Sequence, residues 1–210
     1  MLNCISGILP LDEGTIHFKA QRIDTLRPSR RAVLGLGRIF QNIRLFVGMS
    51  VLENILVGEH CRTRAGLVRA WTRLPFRSLA EERVARVRAE ALLDRVGLAS
   101  RMSEPAESLP LADQRRLEIA RALATDPALL LLDEPAAGMN PTEKVEVNRL
   151  IRSVVADGRT VVLVEHDIGL VMDVSHMVTV LNFGQKIAEG APAEVRTDPL
   201  VVEAYLGQED

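Results

Sequence analysis

The segment ALLLLDEPAAGMNP, residues 128–141, limits what this chain can become more than any other stretch. Four consecutive leucines run into Asp133 and Glu134 and then meet Pro135. A run so short and apolar, closed by a turn-forming proline, predicts a strand buried on both faces. Strands of that kind belong to parallel sheets covered by helices. Such sheets bind ligands at the carboxyl ends of their strands, which is where the two acids stand.

The rest of the last third repeats the alternation. PTEKVEVNRLIRSVVADG predicts a helix ending at Gly158, TVVLVEHD a strand and IGLVMDVS a short helix. MVTVLNFG is another strand, and QKIAEGAP returns as a hairpin. Towards the N-terminus, residues 2–8 read as the tail of a helix without a capped beginning. GTIHFKAQRI alternates like a strand, with Ile16 and Phe18 opposite His17 and Lys19. A short strand around Ile39 and Phe40 breaks at Gln41-Asn42. SVLENILVG predicts a helix with Ser50 as N-cap and Glu53 at the capping-box position.

Residues 61–78 form an Arg-rich insert carrying the single Trp. A solvated linker, a lipid-headgroup contact and a partner-docking surface all suit it. A helix over about 79–96 follows, with Val84, Val87, Ala91 and Val96 as its apolar stripe. Another helix runs through QRRLEIARALAT, and Arg115 and Arg116 read as its solvated face. The predicted class is α/β: a mainly parallel sheet core flanked by helices, with an inserted helical subdomain. The core takes residues 1–49 and 126–210, the helical part about 50–125, and all of it forms one domain, 1–210.

Composition narrows the function. The net charge is −2, from 26 basic and 28 acidic side chains, so no global basic field points to nucleic acid. Aromatics at 3% argue against base-stacking platforms. Cys4 and Cys61 have neither metal-ligand spacing nor the count of a disulfide framework, which suits a reduced, cytosolic compartment. No apolar run approaches the roughly 18–20 residues of a membrane-spanning helix, so a role at a membrane is peripheral.

Four places carry candidate chemistry. Asp133 offers the hard oxygen that Mg²⁺ prefers, and Glu134 can take a proton from an attacking water. His166 ends the next strand and reaches a terminal phosphate if the two strands are neighbours. Gln41, a neutral amide after a strand, can ligate Mg²⁺ or orient water from a movable loop. SLPLADQRRLEIARALA places a loop before a helix, whose free N–H groups and dipole attract phosphate.

The order RIFQN, LPLADQRRLEIARAL, LLLLDEP, VVLVEHD resembles an ABC-transporter ATPase subunit over essentially the whole chain. By that resemblance Gln41 is the Q-loop residue, Asp133 and Glu134 the Walker B pair, and His166 the H-loop residue. Leu109, Pro110, Leu111, Ala112 and Asp113 fall at the signature motif, which closes on ATP bound by the opposing subunit. Asn140 falls in the D-loop. FQNIRLF, DEPAAGMNP, VEHDIGLVM and VVEAYLG are similar to the ATPases of branched-chain amino-acid importers. The resemblance implies ATP and Mg²⁺ as cofactors. It implies a second ATPase subunit, two membrane permeases and an extracytoplasmic solute-binding protein as partners. Its place is peripheral, on the cytoplasmic face of the inner membrane.

Two positions depart from the family pattern. No Gly-Lys pair occurs, and Lys19, Lys144 and Lys186 follow no glycine loop, so a phosphate-cradling loop is expected upstream of Met1. One reading is an importer ATPase with a mis-assigned or lost start; the other is a non-hydrolytic or decaying interaction subunit. At the signature, Pro110 removes a hydroxyl and a backbone N–H, and Asp113 adds negative charge beside a phosphate.

Overall fold

A computed structural model describes residues 1–62 and 79–206; from residue 63 the Arg-rich insert lies outside the described residues. The chain divides into two compact units, Met1–Val164 and Glu165–Asp210.

In the first unit, helix α1 (Leu2–Ser6) precedes a hairpin of β1 (His17–Phe18) and β2 (Gln21–Arg22). The stretch expected to be one strand folds back because Lys19 and Ala20 both take positive φ, 49° and 59°. A two-residue turn of that hand matches the twist of paired strands. Helix α2 (Pro28–Val33) leads into β3 (Leu36–Ile39). Its Arg31 is buried, and its guanidinium donates to the carbonyls of Cys4, Ile5, Asp24 and Leu26. Two of those carbonyls, Cys4 and Ile5, lie in the last turn of α1, where a helix leaves carbonyls without a partner further along the helix.

The three helices that follow pack on one another: α3 (Val51–Arg62), α4 (Leu79–Arg95) and α5 (Leu111–Ala124). Ser50 and Glu53 form the expected capping box, with Glu53 Oε2 accepting from Ser50 N at 2.7 Å. The α4 stripe differs from expectation. Ala89, Leu93 and Val96 are buried, whereas Val84 and Val87 are exposed. Ala89, Leu93 and Val96 keep the helical repeat on the buried side of the helix.

Strand β4 (Leu129–Asp133), helix α6 (Pro141–Ala156) and β5 (Thr160–Val164) complete a parallel sheet of order β3-β4-β5. Ile39 pairs with Leu132, and Asp133 pairs with Val164. On one face Leu131 joins Leu2, Ile23 and Leu36 in a buried cluster, and the strand pleat puts Asp133 on that same face. Leu130 and Leu132 are buried on the other. Helix α6 ends where expected, with Gly158 at φ 81° just past its C-cap.

The second unit opens with α7 (Ile168–Val174), capped by Asp167 Oδ1 accepting from Leu170 N at 3.1 Å. Strands β6 (Val178–Asn182) and β7 (Gln185–Gly190) pair antiparallel, and helices α8 (Pro192–Val195) and α9 (Pro199–Leu206) follow. The run MVTVLNFG thus pairs with its own return, the hairpin expected from the sequence. Phe183 and Gly184 both take positive φ and close the hairpin.

Candidate functional site

The site begins where β4 stops. Asp133 continues the extended strand, but Glu134 takes φ 47°, a left-handed conformation that a residue other than glycine adopts at a cost. The Glu134 N–H still donates to Val164 O at 2.8 Å, so the sheet anchors the turn. Two adjacent carboxylates therefore leave the strand in different directions.

Gln41 meets the second of them. Its Nε2 donates to Glu134 Oε2 at 3.1 Å, joining positions 93 residues apart in sequence. β3 and β4 are direct neighbours, so residues just past their ends share one sheet edge. The amide found after one strand and the acid found after the other come together at that edge.

Arg38 was not singled out in the sequence. It sits on β3 opposite Leu131, with its side chain only 7% exposed. Nη2 lies 3.2 Å from Asp133 Oδ2, and Nη1 donates to Ser6 Oγ at 2.5 Å. The guanidinium thus ties α1 to the Asp133 carboxylate. An arginine amid the apolar positions of a short strand was the available signal, since a buried guanidinium needs an anionic or carbonyl partner.

His166 follows β5 by two residues and belongs to the second unit. β5 does neighbour β4, as the sequence reading required. The imidazole is exposed, and its Nδ1 lies 3.7 Å from the carboxylate of Glu165.

At the signature segment Leu109 is buried, and its carbonyl accepts from Gln114 Nε2 at 2.8 Å. Pro110 is the N-cap of α5. Leu111 stays exposed beside Gly138, where a β-carbon would stand 3.1 Å from its Cδ2, and Ala112 is buried. The Asp113 charge is already matched: Arg101 Nη1 lies 2.7 Å from Oδ2, and Arg116 Nη2 hydrogen-bonds Oδ1. Asn140 caps α6, its Oδ1 accepting from Glu143 N at 3.0 Å while Glu143 Oε2 accepts from Asn140 N at 2.8 Å. Arg115, expected on a solvated face, is buried and paired with Glu118 at 2.9 Å. The face of α5 that carries it turns inward against the segment after β3, and Glu118 and the Phe40 carbonyl supply the partners that a buried guanidinium needs.

The ABC transporter family profile matches residues 1–137. The high-affinity branched-chain amino acid transport ATP-binding protein LivG of Salmonella typhimurium is 40% identical over 210 residues, covering 99% of this chain and 82% of LivG. The chain belongs to the ABC transporter family, among its ATP-binding subunits. The BraF protein of Pseudomonas aeruginosa, of the same description, is 38% identical over the same spans. Residues 185–210 match a branched-chain amino acid ATP-binding cassette transporter profile. Among solved structures, MJ1267, an ATP-binding cassette of an ABC transporter, superposes with a TM-score of 0.80 at 30% identity, covering 97% of this chain and 81% of MJ1267. Its ADP conformation gives 0.79 at 29% identity, covering 99% and 82%. This ATP-binding subunit therefore has the ABC ATPase fold, whose members bind ATP or ADP. Among the described residues no helix is long and apolar enough to cross a membrane.

The carboxylates after β4 and the amide after β3 have donor atoms of the kind that suits a hard cation. They offer carboxylate and amide oxygens rather than thiolate or imidazole, the ligand chemistry of a hard cation that keeps several waters.

Proposed function

We propose that this chain is the ATP-hydrolysing subunit of an importer for branched-chain or related amino acids. The observation that carries the reading is the Gln41–Glu134 contact at the edge of the sheet, next to Asp133. In this reading Asp133 and the Gln41 amide hold Mg²⁺, which supplies neutralisation of phosphate charge. Glu134 accepts the proton of the attacking water, and Gln41 holds that carboxylate in place. His166 contacts the terminal phosphate. Leu109, Pro110, Leu111, Ala112 and Asp113 present the start of α5 to ATP held by a second ATPase subunit, and Asn140 stands in the D-loop of the same interface. With Asp113 neutralised by Arg101 and Arg116, the anion-binding end of α5 carries no uncompensated negative charge.

The subunit pairs with itself or a paralogue beneath two permeases, on the cytoplasmic face of the inner membrane. An extracytoplasmic binding protein delivers the solute. The likeness to LivG and BraF supports the solute class.

The deciding experiment measures phosphate release by the full chain assembled with its permeases in vesicles. Glu134→Gln is expected to slow release about a hundredfold or more while leaving ATP binding in place, the scale of a lost general base. Release by that variant at the parental rate would remove Glu134 from the chemistry. Stimulation by leucine, isoleucine or valine through the binding protein tests the solute class, and stimulation by urea alone would overturn it.

A further inference from the structure

One buried polar cluster in the first unit is not used by the proposed chemistry. Arg115 and Glu118, one helical turn apart on α5, are exposed by only 4% and 2% at their side chains and are paired at 2.9 Å. Burying such a pair costs desolvation, and stability alone does not explain it, since apolar replacements of similar volume often serve as well. The remaining hydrogen bonds show where it is directed. Arg115 Nη1 donates to Phe40 O at 2.6 Å and Nη2 to Gln41 O at 2.5 Å. Glu118 Oε1 accepts from Arg44 N at 3.1 Å. Phe40 is further sandwiched by guanidiniums, Arg38 at 4.6 Å and Arg44 at 4.2 Å from its ring.

The pair thus holds both ends of the segment 40–44 by its backbone, whatever side chains that segment carries. A guanidinium suits this task because its fixed fork reaches two successive carbonyls at once. Through these bonds the signature helix α5 is tied to the residue that touches Glu134.

We infer that Arg115, locked by Glu118, is a positioning residue for Gln41, a latch that sets the Gln41–Glu134 contact from the signature helix. The catalytic consequence rests on the proposed ATPase reading, whereas the latch itself is a matter of this chain's geometry.

The test reads the two separately. In the full chain, the side-chain amide resonances of Gln41 are assigned by their loss in Gln41→Ala. Arg115→Gln is expected to move them to the position of a solvated glutamine and to speed hydrogen exchange at the Arg44 amide about tenfold or more. Arg115→Lys keeps the charge but not the fork, and is expected to leave the Gln41 resonances displaced as well. The double variant Arg115→Met with Glu118→Leu, which removes both charges and keeps the volume, guards against a single variant that fails to fold. It is expected to fold and still release Gln41. Arg95→Gln breaks a remote ion pair with Asp157 and is expected to leave those resonances in place.

A folded Arg115 variant whose Gln41 amide and Arg44 exchange match the parent overturns the latch. In the assembled transporter, Arg115→Lys is expected to lower kcat for phosphate release about tenfold or more, with KM for ATP changed less than about twofold. A parent assembly that releases no phosphate overturns the ATPase reading instead, while the resonances still decide the latch.

Discussion

Asp113 and Asn140 illustrate how a single residue's neighbours decide its part. Both were placed by motif position near a nucleotide, and both have their side chains engaged within their own subunit. Asp113→Ala would leave Arg101 and Arg116 facing one another across a half-buried gap. The expected cost is about 1–3 kcal/mol, read as a lower urea midpoint at unchanged slope. Asp113→Asn should cost less, because the amide oxygen can still accept from one guanidinium. Asn140→Ala removes the capping box of α6 and should cost about 1 kcal/mol in the same measurement. Gln41, Asp133 and Glu134 were legible from sequence because a parallel strand places its last residues at a known edge. Arg38 and Arg115 were not, because an arginine's burial is set by partners far away in sequence, such as Asp133 for the first and the Phe40 carbonyl for the second.

At the scale of elements, the approach of α3 to α5 is set by Gly58. A β-carbon there would stand 2.5 Å from Arg121 O and 2.9 Å from Ala124 Cβ. Gly58→Ala must separate the helices and is expected to destabilise by about 1–3 kcal/mol, lowering the thermal midpoint. Gly48 is the contrast: its φ is 79°, but nothing lies within 4 Å of an added β-carbon. Gly48→Ala should cost only the local backbone penalty, about 1–2 kcal/mol, with helix packing intact by near-ultraviolet spectra. The misreading of α4 has the same origin. Periodicity shows that a helix has an apolar stripe, but Val84 and Val87 form one as plausibly as Ala89 and Leu93, and only the position of the neighbouring helices chooses. The β1–β2 hairpin reads in the sequence as one strand because its turn, Lys19-Ala20, places non-glycine residues at positive φ, where sequence signals favour Asn or Gly; the β6–β7 hairpin was legible in the return QKIAEGAP.

For the whole molecule, several carboxylates are held below their ordinary range in the fold. Asp24 is lowered to about 2, first by its hydrogen bond from Arg22. Glu104 is lowered by Arg101, Asp157 by Arg95, and Glu53 by the Ser50 backbone N–H. A group whose folded pKa is depressed contributes stability above its unfolded value and loses it as pH falls through the folded one. Glu118 has the opposite sign: burial raises its pKa, against the Arg44 N–H and the charges of Arg115 and Arg121. Its ionised form is a burden at neutral pH that protonation relieves. Four groups of one sign outweigh one of the other, so stability is expected to fall as pH drops below about 4.5 and on towards 2. Urea midpoints across that range check this, and Glu118→Gln should flatten the small opposing contribution. A midpoint that holds steady or rises below pH 4 would contradict the balance.

The sequence by itself determined the buried strand, its acidic end, the order of the motifs and the caps that start α3 and end α6. Each of these is a local matter of hydrophobic period, turn chemistry or residue type at a strand terminus. Only the tertiary structure decided that Gln41 reaches Glu134, that Asp113 is already neutralised, and that Arg115 is buried across the segment that carries Gln41. Those outcomes depend on which surfaces lose water together, and a buried charge is tolerated only where distant parts of the chain bring it a partner.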